Sequence, residues 1–376
     1  MRHFRKASML FALVIGAVSV QAQTADELFK TGLAQFDAKQ YEQCISTFSR
    51  VVAMSSQNYA AYYNLGLCNY NLERYKEAIP AFQSALRIKP DYVRAHVQLG
   101  NALDYLDRYN EAIAAYMKAL EYEPNNADAL FELGVAHYRQ KNYKASMEAF
   151  QRSIAIDPKS ATVHYRLALS YNGLKRTDDA AKSFQTAIDL GITNGYAQHE
   201  LAKIYADRKN PEMAIKYLEA AVRYKPDLAA AFKLLGDQYE AVKNYDKAIA
   251  SFNEAIRLSP NYADAYIGLG NAYYNQNKWI ESIPFYKKAT EVSPKYALAH
   301  YYLADAYLNS RQNELAIVSY KKVVELEPKN PDGYYGLGLA YYNLKNKAMA
   351  NENYLVLKAL DPARAAKLLD WINKLP

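Results

Sequence analysis

One pattern recurs every 34 residues along this chain, without insertion or deletion. With residues 263–296 (ADAYIGLGNAYYNQNKWIESIPFYKKATEVSPKY) as template, frames starting at Ala25, Tyr59, Val93, Ala127, Ala161, Gly195, Ala229, Ala263, Ala297 and Pro331 align in register. A fixed period of this length means that each unit is one supersecondary element, and that a core exists only where neighbours stack. The seventh place of a frame is Leu from Leu65 to Leu337, with Thr31 in the first; the eighth is Gly or Ala throughout, as in Gly100 and Ala168. Aromatics or His usually fill the fourth and eleventh places, as with Tyr266 and Tyr273, so apolar groups recur at i, i+3, i+4 and i+7, one face of a helix.

Later in each frame a small residue, a bulky one and another small one make a second such face, as in Ala112, Tyr116 and Ala119. Polar turns such as 106–108 and 140–142 separate the two stretches. Pro90, Pro124, Pro158, Pro226, Pro260, Pro294, Pro328 and Pro362 share one place, where a proline stops the second helix. The expectation is all-α: a solenoid of ten helix pairs over 25–58, 59–92, 93–126, 127–160, 161–194, 195–228, 229–262, 263–296, 297–330 and 331–364. Residues 365–376 are expected to be a capping helix, with Leu368, Ile372 and Leu375 facing the last repeat.

This in-register signature resembles the tetratricopeptide repeat (TPR) family over residues 25–364. The resemblance implies an α–α superhelix in which first helices line a concave groove and second helices cover the outside. One junction departs from the pattern: residues 189–195 hold Ile192 where sister frames hold Pro, with Gly191 and Gly195 close by. Drift within one loop explains it; a hinge between repeats 1–5 and 6–10 is the sharper reading.

Composition then narrows the function. The chain is 51% hydrophobic and 23% charged, which excludes both a polytopic membrane protein and a disordered one. Residues 1–22 read as a signal peptide: basic Arg2, Arg5 and Lys6, an apolar run over 7–20, and small residues at Val20 and Ala22 before the expected cut. Cleavage lowers the net charge from +7 to +4, which points to no nucleic-acid partner and leaves no transmembrane segment. The expected location is therefore outside the cytoplasm, most simply a bacterial periplasm, with a secreted or outer-membrane-associated protein as alternatives.

Catalysis finds little support. Too few residues lie outside the repeats for a catalytic domain, and no nucleophile, acid–base or metal constellation stands out, so neither cofactor nor metal is expected. His96, His164, His300 and His137 occupy packing places; His199 alone falls on the groove face, where a solvated side chain is expected. Cys44 and Cys68 stand where sister frames carry Ala, so two small buried residues are the plainer reading, and an exported chain can also join them.

In the family, ligands contact the second, fifth, ninth, twelfth and thirteenth places. Those places carry Phe29, Phe36, Tyr63, Tyr70, Asn101, Asp104, Phe131, Tyr138, Arg139, Tyr165 and Asn172 in repeats 1–5. Repeats 6 and 7 turn charged, with His199, Lys203, Asp207, Lys233, Asp237 and Glu240, and repeats 8–10 offer Asn271, Tyr274, Asn275, Tyr301, Asp305, Asn309, Tyr335, Tyr342 and Asn343. Half of the 36 tyrosines sit at packing places, so their number is largely one structural preference multiplied by repetition. The family's Lys/Asn/Arg carboxylate clamp does not carry over: Lys233 is followed by Asp237 and then Gly268. Rigid rings with hydrogen-bonding neighbours suit a peptide backbone. The expected function is a non-catalytic protein-binding scaffold for an extended peptide or partner subunit in envelope assembly, secretion or polysaccharide export. The alternative is a glycan- or peptidoglycan-binding module using the Tyr/Asn surface of repeats 8–10.

Overall fold

The computed structural model describes residues 23–376; the expected signal peptide lies outside the described residues. The described chain is all-α, and its helices pack in consecutive antiparallel pairs that form two compact units, each described by itself.

The first unit, up to Asp157, contains α1 (Ala25–Asp37), α2 (Tyr41–Met54), α3 (Tyr59–Asn71), α4 (Tyr75–Ile88), α5 (Val93–Asp104), α6 (Tyr109–Tyr122), α7 (Ala127–Arg139) and α8 (Tyr143–Ile156). The second, from Pro158, contains α9 (Ala161–Gly173), α10 (Thr177–Asp189), α11 (Tyr196–Asp207), α12 (Pro211–Tyr224), α13 (Ala229–Ala241), α14 (Tyr245–Leu258), α15 (Ala263–Tyr274), α16 (Trp279–Val292), α17 (Ala297–Asn309), α18 (Asn313–Leu326), α19 (Pro331–Asn343), α20 (Lys347–Leu360) and α21 (Pro362–Asn373).

Pairing follows from the small residues. Tyr116 and Phe252 are sealed from solvent, and each lies against the eighth-place glycine of its own repeat. A Cβ built on Gly100 would meet the Tyr116 ring at 2.4 Å, so the two backbones approach this closely only because no side chain intervenes. Successive odd-numbered helices also touch, α1–α3–α5–α7 in the first unit and α11–α13–α15–α17–α19 in the second. The odd helices thus form the tighter layer of each unit.

Every first helix ends in the same way. The residue at the fifteenth place (Lys39, Glu73, Asp107, Lys141, Lys175, Lys209, Lys243, Asn277, Arg311, Lys345) is left-handed, with φ between 56° and 61°. Around it the two amide bonds of a Schellman motif close, for example Lys243 N to Glu240 O at 2.8 Å and Asn244 N to Tyr239 O at 2.8 Å. Glycine normally fills this position; here none does.

The cap α21 starts at Pro362, inside the tenth frame, because Asp361 accepts from the Arg364 amide at 3.0 Å. Its Leu368 and Ile372 are buried, Leu375 is half-buried, and the Leu375 carbonyl accepts from Lys347 Nζ at 2.7 Å.

Cys44 and Cys68 form a disulfide joining α2 to α3, with Cα atoms 6.1 Å apart. This replaces the plainer expectation of two separate small residues. The two Ala-equivalent places face each other across the first repeat junction, within bridging distance.

Candidate functional site on the odd-helix face

The expected groove residues lie on the odd helices, and most are engaged with the protein itself. Fifth-place rings lean on the core ring of their own repeat: Phe29 on Phe48, Tyr63 on Phe82, Phe131 on Phe150, Tyr165 on Phe184 and Tyr301 on Tyr320, with centroids 5.4–6.1 Å apart. Tyr335 packs against the core of the second unit. Twelfth-place rings lean instead on the start of the second helix: Phe36 on Tyr41, Tyr70 on Tyr75 and Tyr138 on Tyr143. Tyr342 meets Trp371 of the cap at 6.1 Å.

The ninth place answers a different need. Where the sealed core ring is Tyr, its hydroxyl must be satisfied, and the ninth-place side chain does so. Tyr116 OH donates to Asn101 Oδ1 at 2.8 Å, Tyr286 OH to Asn271 Oδ1 at 2.7 Å and Tyr320 OH to Asp305 Oδ1 at 3.4 Å. Burial drives the Tyr116, Tyr286 and Tyr320 hydroxyls well above the ordinary phenol range, so they stay protonated donors.

The thirteenth place clasps the twelfth place of the preceding repeat. Arg139 pairs with Asp104 at 2.7 Å, Asn275 Nδ2 donates to Glu240 Oε1 at 2.6 Å, and Asn309 Nδ2 donates to Tyr274 OH at 2.8 Å, which donates to Asp305 Oδ2 at 2.5 Å. Asn343 reaches Asn313 instead, at 3.0 Å. The bonds of Arg139, Asn275, Asn309 and Tyr274 run across the successive odd-helix layer and stitch it together, whereas that of Asn343 ties it to the start of α18. Asp104 is only 6% exposed, so it belongs to the stitching and not to an open surface.

The charged stretch is compact. Lys233 pairs with Asp237 at 2.8 Å one turn on, and Lys203 with Glu200 at 3.0 Å. Burial and the nearby Asp237 carboxylate push Glu240 up to about 7. The His199 side chain is 12% exposed and lies 3.4 Å from Glu200, so it is covered where a solvated side chain was expected. Three of the other histidines do more than pack: His96 Nε2 lies 2.8 Å from Pro90 O, His164 Nε2 2.9 Å from Pro158 O, and His300 Nε2 2.9 Å from Pro294 O. Asn172 is half-buried near the end of α9, and Asp207 is exposed at the end of α11.

An open concavity of 510 Å³ lies on the first unit, lined by Tyr63, Arg94, Val97, Gln98, Glu123, Asn126 and Asp128. Only Tyr63 among its residues was expected. Arg94 and Asp128 occupy the second place of their frames, so the family's pattern of ligand contacts already pointed to them. Among the described residues no group of three or more His, Cys, Asp or Glu is gathered to hold a metal ion, and no helix is long and apolar enough to cross a membrane.

Comparison with known proteins fits this architecture. A family profile described as the C-terminal domain of cilia and flagella-associated protein 70 matches residues 21–266, and a TPR repeat profile matches residues 270–310 and 312–345. The chain belongs to the tetratricopeptide repeat family. No curated protein matches it in sequence. Among solved structures, the C-terminal part of a TPR repeat-containing protein from Cytophaga hutchinsonii is 21% identical, covering 64% of this chain and 98% of that one, with a TM-score of 0.54. PilF of Pseudomonas aeruginosa is 22% identical, covering 55% of this chain and 94% of its own, with a TM-score of 0.50. At these identities the likeness is one of fold.

Proposed function

We propose that the protein is a non-catalytic interaction scaffold of the bacterial cell envelope, and that the odd-helix face of the first unit holds an extended peptide from its partner. The observation that carries this reading is the concavity on α3, α5 and α7. It sets a ring (Tyr63), a guanidinium (Arg94), a side-chain amide (Gln98) and two carboxylates (Glu123, Asp128) around one open volume, with Asn126 held in place by Glu123 and the Ala129 amide, so a peptide backbone finds donors, acceptors and a flat apolar surface together. The secretory-type N-terminus and the Cys44–Cys68 bridge support an oxidising compartment outside the cytoplasm.

The glycan reading has weaker support. Asn271, Tyr274, Asn309 and Asn343, on which it depended, are already hydrogen-bonded within the protein. Photo-crosslinking tests the peptide reading in the producing cell. A photoreactive residue at Arg94 or Gln98 is expected to capture one discrete partner, and the same residue at Lys118, exposed on α6, is not. Capture from Lys118 alone, or equally from all three, would remove the odd-helix face as the binding surface.

A further inference from the structure

The one junction that breaks the repeat also builds a cavity. In sister repeats a proline carbonyl after the second helix meets the fourth-place histidine, as Pro90 meets His96. At the end of α10 the chain instead turns on Gly191, left-handed at φ 90°, and Ile192 N closes a Schellman bond to Ala187 O at 3.1 Å. A second left-handed glycine, Gly195 at φ 73°, passes so close to α12 that an added Cβ would meet Lys225 Cβ at 2.6 Å. Gln198 holds the fourth place and keeps the usual bond, its Nε2 donating to Ile192 O at 2.8 Å. The residue is 1% exposed, and its amide oxygen Oε1 is buried with no hydrogen-bond partner.

Gln198 forms part of the wall of a 290 Å³ cavity whose apolar side is Ile188, Ile192 and Ala220 and whose cationic side is Lys216 and Arg223. The volume is at the low end for small-molecule sites. Both cations are braced over neighbouring rings: Lys216 Nζ lies 5.4 Å from the Tyr217 centroid and Arg223 Cζ lies 5.2 Å from the Tyr224 centroid. Among the described residues, neither is paired with a carboxylate.

Three requirements meet here: an anion for the two cations, an aliphatic group for the apolar wall, and a hydrogen-bond donor for the orphaned amide oxygen. We propose that this cavity binds an N-acylated aliphatic amino acid. Its carboxylate sits between Lys216 and Arg223, its N–H meets Gln198 Oε1, and its side chain rests on Ile188, Ile192 and Ala220. Lined chiefly by α10, α12 and the loop between α10 and α11, the site is independent of the odd-helix face. The same chemistry occurs in a free small molecule and at the C-terminus of a polypeptide ending in Leu, Ile or Val.

Calorimetric titration of the mature chain with N-acetyl-leucine tests this. Saturable binding is expected at millimolar or lower concentration, about tenfold or more weaker for N-acetyl-leucinamide, which lacks the charge, and for 4-methylpentanoate, which lacks the N–H. Arg223→Gln is expected to weaken N-acetyl-leucine about tenfold. Gln198→His restores the residue of the sister repeats and should keep the helical circular dichroism, while erasing the preference for N-acetyl-leucine over 4-methylpentanoate. A pentapeptide with C-terminal Leu that binds at least as well as N-acetyl-leucine assigns the site to a chain terminus; its exclusion assigns the site to a free molecule. No saturable binding by the correctly folded chain, or unchanged affinity and selectivity in both variants, would overturn the proposal.

Discussion

A tyrosine that takes the place of phenylalanine in a sealed core needs somewhere to put its hydroxyl. Tyr116, Tyr286 and Tyr320 solve this with Asn101, Asn271 and Asp305, fifteen positions earlier. Repeats with Phe48, Phe82, Phe150 or Phe184 carry Leu or Val there. The pattern was legible in the sequence, but Asn at a groove place was read for what a ligand needs and not for what its own repeat needs. Asn101→Leu is expected to cost about 1–3 kcal/mol by stranding the Tyr116 hydroxyl, and Tyr116→Phe in the same chain should restore most of it; denaturant titrations of the two single variants and the pair measure the coupling. Glu240 gives a second prediction. Its carboxyl is held above the ordinary glutamate value by burial and by Asp237, so the folded state keeps its proton while the unfolded chain releases it. The associated stability is complete below about pH 4.5 and is lost as pH rises through about 7. Glu240→Gln keeps an acceptor for Asn275 and should gain on the unmodified protein between pH 5 and 8, by on the order of 1 kcal/mol. A carbon-detected titration with no step near 7 would refute this assignment.

At the scale of the helix, apolar spacing and proline positions already disclosed paired helices, because both follow from local sequence. The turns between partners were less legible. A left-handed residue ordinarily announces itself as glycine or asparagine, and nine of the ten here are Lys, Glu, Asp or Arg. Only the hydrogen bonds of the Schellman motif, fixed by the helix crossing, impose the conformation. Lys243→Gly removes that strain and is expected to stabilise the second unit by up to about 1 kcal/mol, whereas Lys243→Val should destabilise it by about 1–2 kcal/mol. Thermal unfolding of the two variants, compared side by side, checks the opposite signs. Gly270 is the reverse case: a Cβ there meets the Tyr286 ring at 2.5 Å, so Gly270→Ala should cost about 1–3 kcal/mol despite the better helix propensity of alanine.

For the molecule as a whole, the sequence disclosed the repeat because every repeat faces the same packing problem. It offered the bridge between Cys44 and Cys68 only as the less plain of two readings, and it did not disclose the cavity at α10, since both depend on residues brought together only by folding. The bridge closes a loop across the first two repeats. Reduction is expected to lower the stability of the first unit by about 3 kcal/mol, and a thiol count under denaturing, non-reducing conditions should find no free cysteine. The contacts within each unit join a helix only to its near neighbours along the chain, which gives the protein a mechanical character. Pulled from its ends, such a stack yields one repeat at a time, each releasing roughly 110–120 Å of slack. Residues 44–68 cannot lengthen while the bridge is intact. The extension trace of the oxidised protein should therefore fall short of the reduced one by roughly 80 Å, so the bridge acts as a stop at one end of an otherwise extensible chain.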